Sequence, residues 1–414
     1  MRVLFLTHFF PPEVGAPQVR ILETAQNLQR LGHEVRILTG FPHYPSGVVP
    51  PAYRGRLLMR EEIGGVPVLR SWVWAAPNSG FLRRVLDHVT FAAGALPAAT
   101  RLGWKPDVVS VDMHPIFLCL TAYLLSRAWR VPYVINAGDL IPDMAVDIGA
   151  LTNPLAIRLT AMLADFVCRH AALIIPFTRG IGELLVEKGI DPARIELIHY
   201  GANTAVFEDR EHWRPLPASL ASGINGDFLV TYAGTHGLSQ GLEVVLDAAE
   251  ALKGEKEIRF LLIGDGADKA RLVAQAHERG LINVTFGDPL PHEAMPSLYD
   301  RSGACLVSLR KLGTMKKAGL PSKLFEIMAA GKPVILAAEG EPADFVQEAD
   351  AGVVVPPGDA ARLAAAVRRL HSSPGRRRRL GANGKRFIEE NLSRGRQTEK
   401  YERALARAVA GGPW

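Results

Sequence analysis

The chain of 414 residues is poor in cysteine and in aromatic side chains. Its three cysteines, Cys119, Cys168 and Cys305, are odd in number and scattered among apolar neighbours, which argues against a disulfide framework and favours a reducing compartment. Aromatic residues make up 7% of the chain, and the sequence contains no zinc-type cysteine pairing and no RNA-binding aromatic motif. We therefore expect no nucleic-acid partner.

Long apolar runs are also missing. The longest apolar stretches, around residues 91–99 and 115–125, fall short of the roughly 20 residues that span a bilayer. The N-terminal run from Met1 to His8 is too short for a signal peptide and is typical of a first strand. The sequence therefore predicts a cytoplasmic protein.

What the chain does contain is enough apolar material for two domains. It is 48% hydrophobic and 22% charged, and it is too long for one ordinary core. Its net charge of +6 favours anionic partners in general, which include phosphorylated small molecules and an anionic membrane face.

Short β-rich runs alternate with helical periodicity along the whole chain, which is typical of parallel sheets covered by helices on both faces. In the first half the predicted strands are 2–7, 34–39, 67–72, 107–111, 133–136, 173–177 and 195–199. In the second half they are 228–233, 258–263, 283–286, 304–309, 333–337 and 352–355.

The polar segment 208–227 separates the two series and shows no sustained periodicity, so we expect the domain boundary there. The predicted domains are 1–205 and 206–383, and both are α/β and Rossmann-like. Beyond 383 an amphipathic stretch over 384–410 follows a helix predicted around 360–371.

Glycine-rich loops follow the first strand of each half. Gly15 and Ala16 precede one helix, and a loop from Gly234 to Gly241 precedes another. Such loops expose backbone N–H groups to phosphates at helix N-termini. The dinucleotide fingerprint G-x-G-x-x-G is absent from both loops, which argues against a dehydrogenase.

The segment from Gly319 to Ile335 carries the most information. Ser322 is a plausible N-cap and Gly331 a plausible C′ residue, and free N–H groups near 322–324 could hold a diphosphate. One turn on, the two oxygens of Glu326 suit the two hydroxyls of a ribose. The alternative is a solvated Glu in a first helical turn, stabilised by the helix dipole.

Taken together, these residues resemble glycosyltransferase family 4, the retaining enzymes with the GT-B fold. The resemblance runs over nearly the whole chain and depends on the order and spacing of several modest motifs. These motifs are Pro11-Pro-Glu-Val-Gly-Ala16, Leu31–Thr39, Tyr232-Ala-Gly234, Leu261–Gly266, Asn283–Phe286, Pro321–Pro333 and Gly352–Gly358.

The resemblance implies two Rossmann-like domains facing across a cleft, with the helix 384–414 returning to the first domain. It implies that Gly15 and Ala16 meet the donor diphosphate or the acceptor. Asp288 to Leu290 would line the nucleobase, residues 322–324 (Ser322, Lys323, Leu324) the diphosphate, and Glu326 the ribose.

Several positions depart from the family pattern. A Glu that usually contacts the donor sugar is replaced by Ala318, and the basic residues of the Gly234 loop are replaced by Thr235 and Gln240. The candidates for a substitute diphosphate clamp are Arg310, Lys311, Lys316, Lys317 and Lys323.

In the first domain, the position of the family's sugar-contacting His is occupied by Asp112, and His114 lies two residues on. Asp139 lies in a segment similar to that of the family's surface-polysaccharide branch, which includes amino-deoxysugar transferases. The candidate catalytic residues are therefore Asp112, His114, Asp139 and Glu326.

Retention can proceed through a covalent glycosyl enzyme or through attack on the same face as the departing diphosphate. With Ala318 where a carboxylate might act, we favour same-face attack, with electrostatic stabilisation of the diphosphate. The sequence has no evident Asp-x-Asp motif, so we expect no metal and no cofactor.

The expected reaction moves a hexosyl or acetamido-sugar group from a nucleotide donor, most simply a uridine diphosphate sugar, to a sugar or lipid-linked acceptor. Two alternatives stay open. One is a nucleotide-sugar 2-epimerase of the same architecture, and the other is a non-catalytic nucleotide-sugar-binding protein.

One predicted helix suggests a contact with the membrane. Phe81, Leu82, Val85, Leu86 and Val89 share a face, beside Arg83, Arg84, Arg101 and Lys105. A helix packed on the domain core, with basic flanks, would give the same pattern.

Overall fold

The fold is described from a computed structural model of the chain. It describes residues 1–412 except 14, 45, 77–80, 148, 150, 222–227 and 312–318. The side chains of 81, 82, 219 and 221 are also excluded. Lys316, Lys317 and Ala318 therefore lie outside the described residues. The chain divides into an N-terminal unit, Met1–Tyr200 with Arg394–Trp414, and a C-terminal unit, Gly201–Ser393.

The N-terminal unit is built on a sheet in the order β3-β4-β2-β1-β5-β6-β7. Its strands are β1 Arg2–Leu6, β2 Glu34–Gly40, β3 Leu58–Ile63, β4 Val66–Ser71, β5 Val108–Asp112, β6 Tyr133–Ala137 and β7 Leu173–Pro176. All neighbours pair in parallel except β3 and β4. Buried apolar runs such as Val3–Leu6 account for the central strands, because both faces are covered.

Helices cover this sheet. They are α1 Ala16–Arg30, α2 Phe81–Ala99, α3 Ile116–Trp129, α4 Asp143–Asp147, α5 Pro154–His170 and α6 Arg179–Glu187. None of the described helices is long and apolar enough to cross a membrane.

The C-terminal unit has a wholly parallel sheet in the order β10-β9-β8-β11-β12-β13. Its strands are β8 Phe228–Ala233, β9 Ile258–Ile263, β10 Val284–Gly287, β11 Ala304–Ser308, β12 Val334–Ala337 and β13 Gly352–Val355. Its helices are α7 Ala218–Ala221, α8 Glu243–Ala251, α9 Lys269–Glu278, α10 Met295–Arg301, α11 Lys323–Ala329, α12 Glu341–Glu348, α13 Ala360–His371 and α14 Pro374–Asn391.

The last helix, α15 Arg394–Ala410, returns to the N-terminal unit. Tyr401, Ala404 and Leu405 are buried in the same apolar cluster as Phe5 and Ile21. The helix therefore completes a core whose other members lie far away in sequence.

The two doubly wound sheets confirm the predicted α/β class, and most predicted strands are present with small shifts at their ends. The prediction of a strand at 195–199 is wrong. The segment forms only one isolated bridge, between Ile174 and Ile195. The strand β3 was not predicted. Its residues are at most half-buried and many are charged, so its pattern is weak.

The unit limits also differ from the predicted ones. The boundary between the two units lies between residues 200 and 201, before the polar segment 208–227. The chain rejoins the N-terminal unit at Arg394 rather than at 384. The predicted single stretch 384–410 is two helices separated by Leu392 and Ser393. The first of them packs against α11 within the C-terminal unit.

Candidate functional site

The helix α11 is fixed at both ends by its sequence. Gly331 takes a φ of 67°, its N–H donates to the carbonyl of Met328, and the N–H of Lys332 donates to that of Ile327. This pattern ends the helix in a left-handed residue, as predicted for Gly331. Leu324 and Phe325 are fully buried and anchor the first turn.

Ser322 occupies the N-cap position of α11, but its side chain makes no capping hydrogen bond. The N–H of Leu324 donates to the carbonyl of Pro321 at 3.0 Å, so the prediction that it is free for a phosphate is wrong. Among the described residues, no acceptor takes the N–H of Ser322 or of Lys323. These two amides remain available for an anion.

The side chain of Lys323 reaches the glycine loop of the C-terminal unit. Its Nζ lies 4.1 Å from the centre of the Tyr232 ring, and a Cβ added to Gly234 would lie 2.4 Å from it. Gly234 therefore makes room for the ammonium group. Within the described part of the chain Lys323 forms no ion pair, although it interacts electrostatically with Glu326. Burial lowers its pKa to about 8.

A second glycine loop holds the first one in place. A Cβ on Gly264 would lie 1.8 Å from the carbonyl oxygen of Gly234, and one on Gly266 would lie 2.4 Å from that of His236. Both glycines have positive φ, at 144° and 154°. The Gly264-Asp-Gly266 sequence thus permits close contact between two loops.

Glu326 lies one turn after Ser322 and is half-buried. Its Oε1 is 3.3 Å from Nε2 of His292, and its Oε2 is 3.5 Å from the hydroxyl of Tyr299. Burial, followed by the charge of Glu326, raises the pKa of Tyr299 well above its usual value, so the hydroxyl stays protonated and donates. The carboxylate is held at two points and still reaches solvent.

The two other candidates that the structure describes are already paired. Arg310 bonds to the carboxylate of Glu243, and Lys311 lies 3.5 Å from that of Glu339. Neither is free to act as the diphosphate clamp without breaking an ion pair.

Four further predicted donor residues lie around the same sheet edge. Thr235 is exposed, and Gln240 accepts a hydrogen bond from the hydroxyl of Ser239 at 3.2 Å. Asp288 is exposed and pairs with Lys269 at 2.9 Å, while Leu290 packs against an apolar cluster beneath the loop.

In the N-terminal unit, Asp112 ends β5 within a buried polar network. Its Oδ1 accepts from Arg20 at 2.8 Å and from Asn136 at 3.1 Å. Asn136 in turn bonds to Ser110 and to Tyr401 of α15. The Asp112 carboxylate is therefore neutralised and fixed in position.

His114 and Asp139 are exposed, after β5 and β6, and interact electrostatically. Gly15 caps α1 in an extended conformation, and a Cβ there would lie 2.4 Å from Oε1 of the buried Gln18. Ala16 is exposed at the start of the same helix. The structure thus brings Asp112, His114 and Asp139 to one sheet edge.

Several polar residues of these regions were not predicted. Glu13 is buried, and its Oε1 accepts the N–H groups of His43 and Tyr44 at 2.9 Å. The Pro-Pro-Glu motif contained this residue without indicating its role. His292 and Tyr299 gave no sequence signal, because their partners lie on distant segments. The Tyr232-Ala-Gly234 motif contained Tyr232 without indicating its contact with Lys323.

Two family models match the chain. The model described as "Glycosyl transferase 4-like domain" matches residues 15–201, and "Glycosyl transferases group 1" matches residues 221–387. The chain is 27% identical to the "Putative colanic acid biosynthesis glycosyl transferase WcaI" of Escherichia coli over 351 residues, which cover 82% of this chain and 84% of the relative.

A second relative is the "MMP alpha-(1->4)-mannosyltransferase" of Mycolicibacterium hassiacum, 24% identical over 99% of this chain and 100% of that protein. Among solved structures, HepE of Anabaena in complex with UDP-glucose superposes with a TM-score of 0.71 at 16% identity. The match covers 98% of this chain and 99% of HepE. The sequence similarity and the fold similarity thus extend over both units.

Proposed function

Because the chain belongs to the glycosyl transferases of group 1 with a family 4-like N-terminal domain, we propose that it transfers a sugar with retention from a uridine diphosphate sugar to a sugar or lipid-linked acceptor. Its fold is GT-B. The observation that carries the proposal is the placement of the Lys323 ammonium against Gly234, in the loop that follows the first strand of the C-terminal unit.

The proposed donor site follows the sheet edge of the C-terminal unit. The diphosphate lies against the ammonium of Lys323 and the free N–H groups of Ser322 and Lys323. The ribose hydroxyls bond to Glu326, whose orientation His292 and Tyr299 fix. The base lies along the backbone of 288–290.

The proposed catalysis is electrostatic. As the bond from the sugar to the diphosphate breaks, negative charge grows on the diphosphate, and a preorganised ammonium and two amides stabilise it. A covalent route would need a free carboxylate beneath the sugar. Asp112 is bound by Arg20 and Asn136, which favours attack by the acceptor on the same face instead.

We further propose that the transfer needs no metal ion, since an ammonium and backbone amides can supply the positive charge. The rate of transfer should then be unchanged when EDTA replaces Mg²⁺ in the assay. A rate that falls in EDTA and returns with Mg²⁺ would overturn this part of the proposal.

The acceptor side includes a surface suited to a membrane. On α2, Leu86 and Val89 are 44% and 39% exposed, and Arg83 is exposed beside them. Trp72 and Trp74 are also exposed, and the N–H of Trp74 donates to Thr90 of the same helix. Exposed tryptophans with apolar and basic neighbours suit an anionic membrane interface.

We propose that this surface binds the cytoplasmic membrane face and admits a lipid-diphosphate-linked acceptor used in surface-polysaccharide or glycolipid synthesis. Transfer of a hexosyl or an acetamido-sugar group fits such a pathway. The free, buried cysteines at 119, 168 and 305 fit the reducing compartment that the proposal requires.

The experiment begins with a thermal-shift screen against uridine, guanosine and adenosine diphosphate sugars. A ligand at 100 times its dissociation constant should stabilise the protein by about 2.7 kcal/mol. The donor that binds is then incubated with and without sugar acceptors, and the products are analysed by NMR for the configuration at the anomeric carbon.

Formation of a glycoside with the donor's anomeric configuration supports the proposal. A new free nucleotide sugar formed from the donor alone identifies an epimerase. Tight donor binding without turnover on any acceptor favours a non-catalytic binding protein, and an inverted product contradicts retention.

A further inference from the structure

Three side chains with metal-binding atoms meet inside the N-terminal unit. His8 follows β1, His43 follows β2, and Asp87 lies in α2. Nε2 of His43 is 3.0 Å from one Asp87 oxygen, and Nε2 of His8 is 3.3 Å from the other. One donor atom from each residue lies within 4.8 Å of the other two, and all three side chains are buried.

The hydrogen bonds of this cluster are incomplete. Both ring nitrogens of His8 and Oδ1 of Asp87 lack a hydrogen-bond partner among the described residues. A buried polar atom without a partner typically costs free energy, so its environment needs an explanation. Nε2 of His8 and Oδ1 of Asp87 face each other at 3.3 Å without hydrogen-bond geometry, and Nδ1 of His8 has no partner among the described residues.

The tautomer of His43 also leaves its contact with Asp87 unfavourable in the absence of a cation. Its Nδ1 lies 2.8 Å from the carbonyl oxygen of Phe41, which can only accept, so Nδ1 carries a hydrogen. In the neutral imidazole, Nε2 then points a lone pair at the Asp87 carboxylate. A cation between the two groups turns this repulsion into attraction.

Two imidazole nitrogens and a carboxylate oxygen are typical ligands of Zn²⁺. With bonds of about 2.0–2.2 Å, tetrahedral geometry separates neighbouring ligand atoms by roughly 3.3 Å. Each imidazole nitrogen lies near that distance from one Asp87 oxygen, at 3.0 Å from Oδ2 for His43 and at 3.3 Å from Oδ1 for His8, and all three donors lie within 4.8 Å of one another. The bond from His43 to Phe41 is the outer-shell contact that usually orients a zinc-bound imidazole.

We propose that His8, His43 and Asp87 form a zinc site that ties the end of β1, the segment after β2 and the helix α2 together. A zinc ion held by three protein ligands would take a fourth ligand, such as a water molecule. The Asp87 carboxylate supplies negative charge to the ion, and the buried Glu13 lies 4.0 Å from Nδ1 of His43. The role is structural, so the metal-independent transfer proposed above is unaffected, while the expectation of no metal in the chain is revised.

The test uses the tag-free full chain, depleted of metal with a chelator. Zn²⁺ is titrated in competition with a chromophoric chelator into wild type, His8→Gln and Asp87→Asn. The control is His88→Gln, because His88 lies next to His8, with ring centres 5.1 Å apart, but outside the cluster.

Wild type and the control should bind one zinc ion per chain. Loss of a ligand should weaken zinc binding by more than about 100-fold, the upper range for loss of an outer-shell partner. Equal zinc affinity in all four proteins, or no binding by wild type, would overturn the proposal.

If a variant does not fold, a measurement on the wild-type protein alone still tests the site. Co²⁺ added to the depleted protein should give the visible absorption bands of a four-coordinate ion without a sulfur-to-metal band, since no ligand is a cysteine. Their absence would also overturn the site and leave a metal-free ion pair between Asp87 and a protonated His43.

Discussion

The Nζ atom of Lys323 lies 4.1 Å from the centre of the Tyr232 ring. Tyr232 is the last residue but one of the first strand of the C-terminal unit, two residues before Gly234, and Lys323 is the first residue of α11. Among the clamp candidates that the structure describes, Arg310 and Lys311 pair with carboxylates, whereas Lys323 does not. Lys323 therefore brings a positive charge to the loop in which Thr235 and Gln240 replace the family's basic residues.

Replacing Lys323 with Ala should weaken binding of the nucleoside diphosphate by roughly 10- to 150-fold, since a lost charged hydrogen bond costs about 1.5–3 kcal/mol. Binding of the bare nucleoside should change little. Isothermal titration calorimetry measures both, and Lys311→Ala serves as the exposed control. An equal loss for the two ligands would show that the charge does not act at the phosphates.

The affinity for the diphosphate should depend on pH. Burial lowers the pKa of Lys323 to about 8, so the free protein carries the charge fully below that pH and loses it above. Affinity should fall by up to about tenfold from pH 7 to 9, because an anion binds only the charged form well. Lys323→Arg should remove this fall, since Arg stays charged. The same pH dependence in that variant would contradict the assignment.

Glu326→Ala should weaken donor binding by roughly 10- to 150-fold, an energy of about 1.5–3 kcal/mol. A donor with 2′-deoxyribose provides the matched control. Wild type should discriminate against it, and the variant should have lost most of that discrimination in the same calorimetric assay. If the variant keeps the full preference for ribose, Glu326 does not bind the ribose and only stabilises the first turn of its helix through the helix dipole.

Arg20→Ala should destabilise the N-terminal unit strongly. It leaves the carboxylate of Asp112 without its ion-pair partner, and breaking a buried pair costs about 3–5 kcal/mol. Urea unfolding followed by circular dichroism measures the change. Arg30→Ala, on the same helix but exposed, should cost far less. Similar losses for the two variants would refute the importance of the pair.

Changing Arg83 and Arg84 to Glu should reduce binding to vesicles that contain phosphatidylglycerol, and the reduction should shrink as salt is added. The control is Arg158→Glu, an exposed residue of α5 between the exposed Leu155 and Leu159. Unchanged binding by the double variant, or an equal loss in the control, would place the membrane contact elsewhere or remove it.

Buried strands were the part of the fold that the sequence revealed best. β12 is a continuous apolar run and β9 is apolar except for Arg259, because helices cover both of their faces. The antiparallel β3 was missed, since its Leu-Met-Arg-Glu-Glu-Ile pattern leaves its residues at most half-buried at the sheet edge. Residues 195–199 are apolar enough to resemble a strand, but they form one isolated bridge, at Ile195, and two backbone hydrogen bonds to β7.

The donor residues could be proposed because one helix and its cap lie within a single short segment. The contact of Lys323 with Tyr232 could not, since it depends on the arrangement of two strands and a helix. The same applies to His8, His43 and Asp87, which come from three separate segments. Histidines after two neighbouring parallel strands were the only signal, and a helix residue completed the group.

The position of α15 has a consequence for how the protein is made. Residues 201–393 form one continuous unit, so they can fold as soon as they leave the ribosome. The core of the unit that is synthesised first includes Tyr401, Ala404 and Leu405, which are synthesised after residues 201–393. We therefore expect the N-terminal unit to complete its core only after the residues of the C-terminal unit have been made.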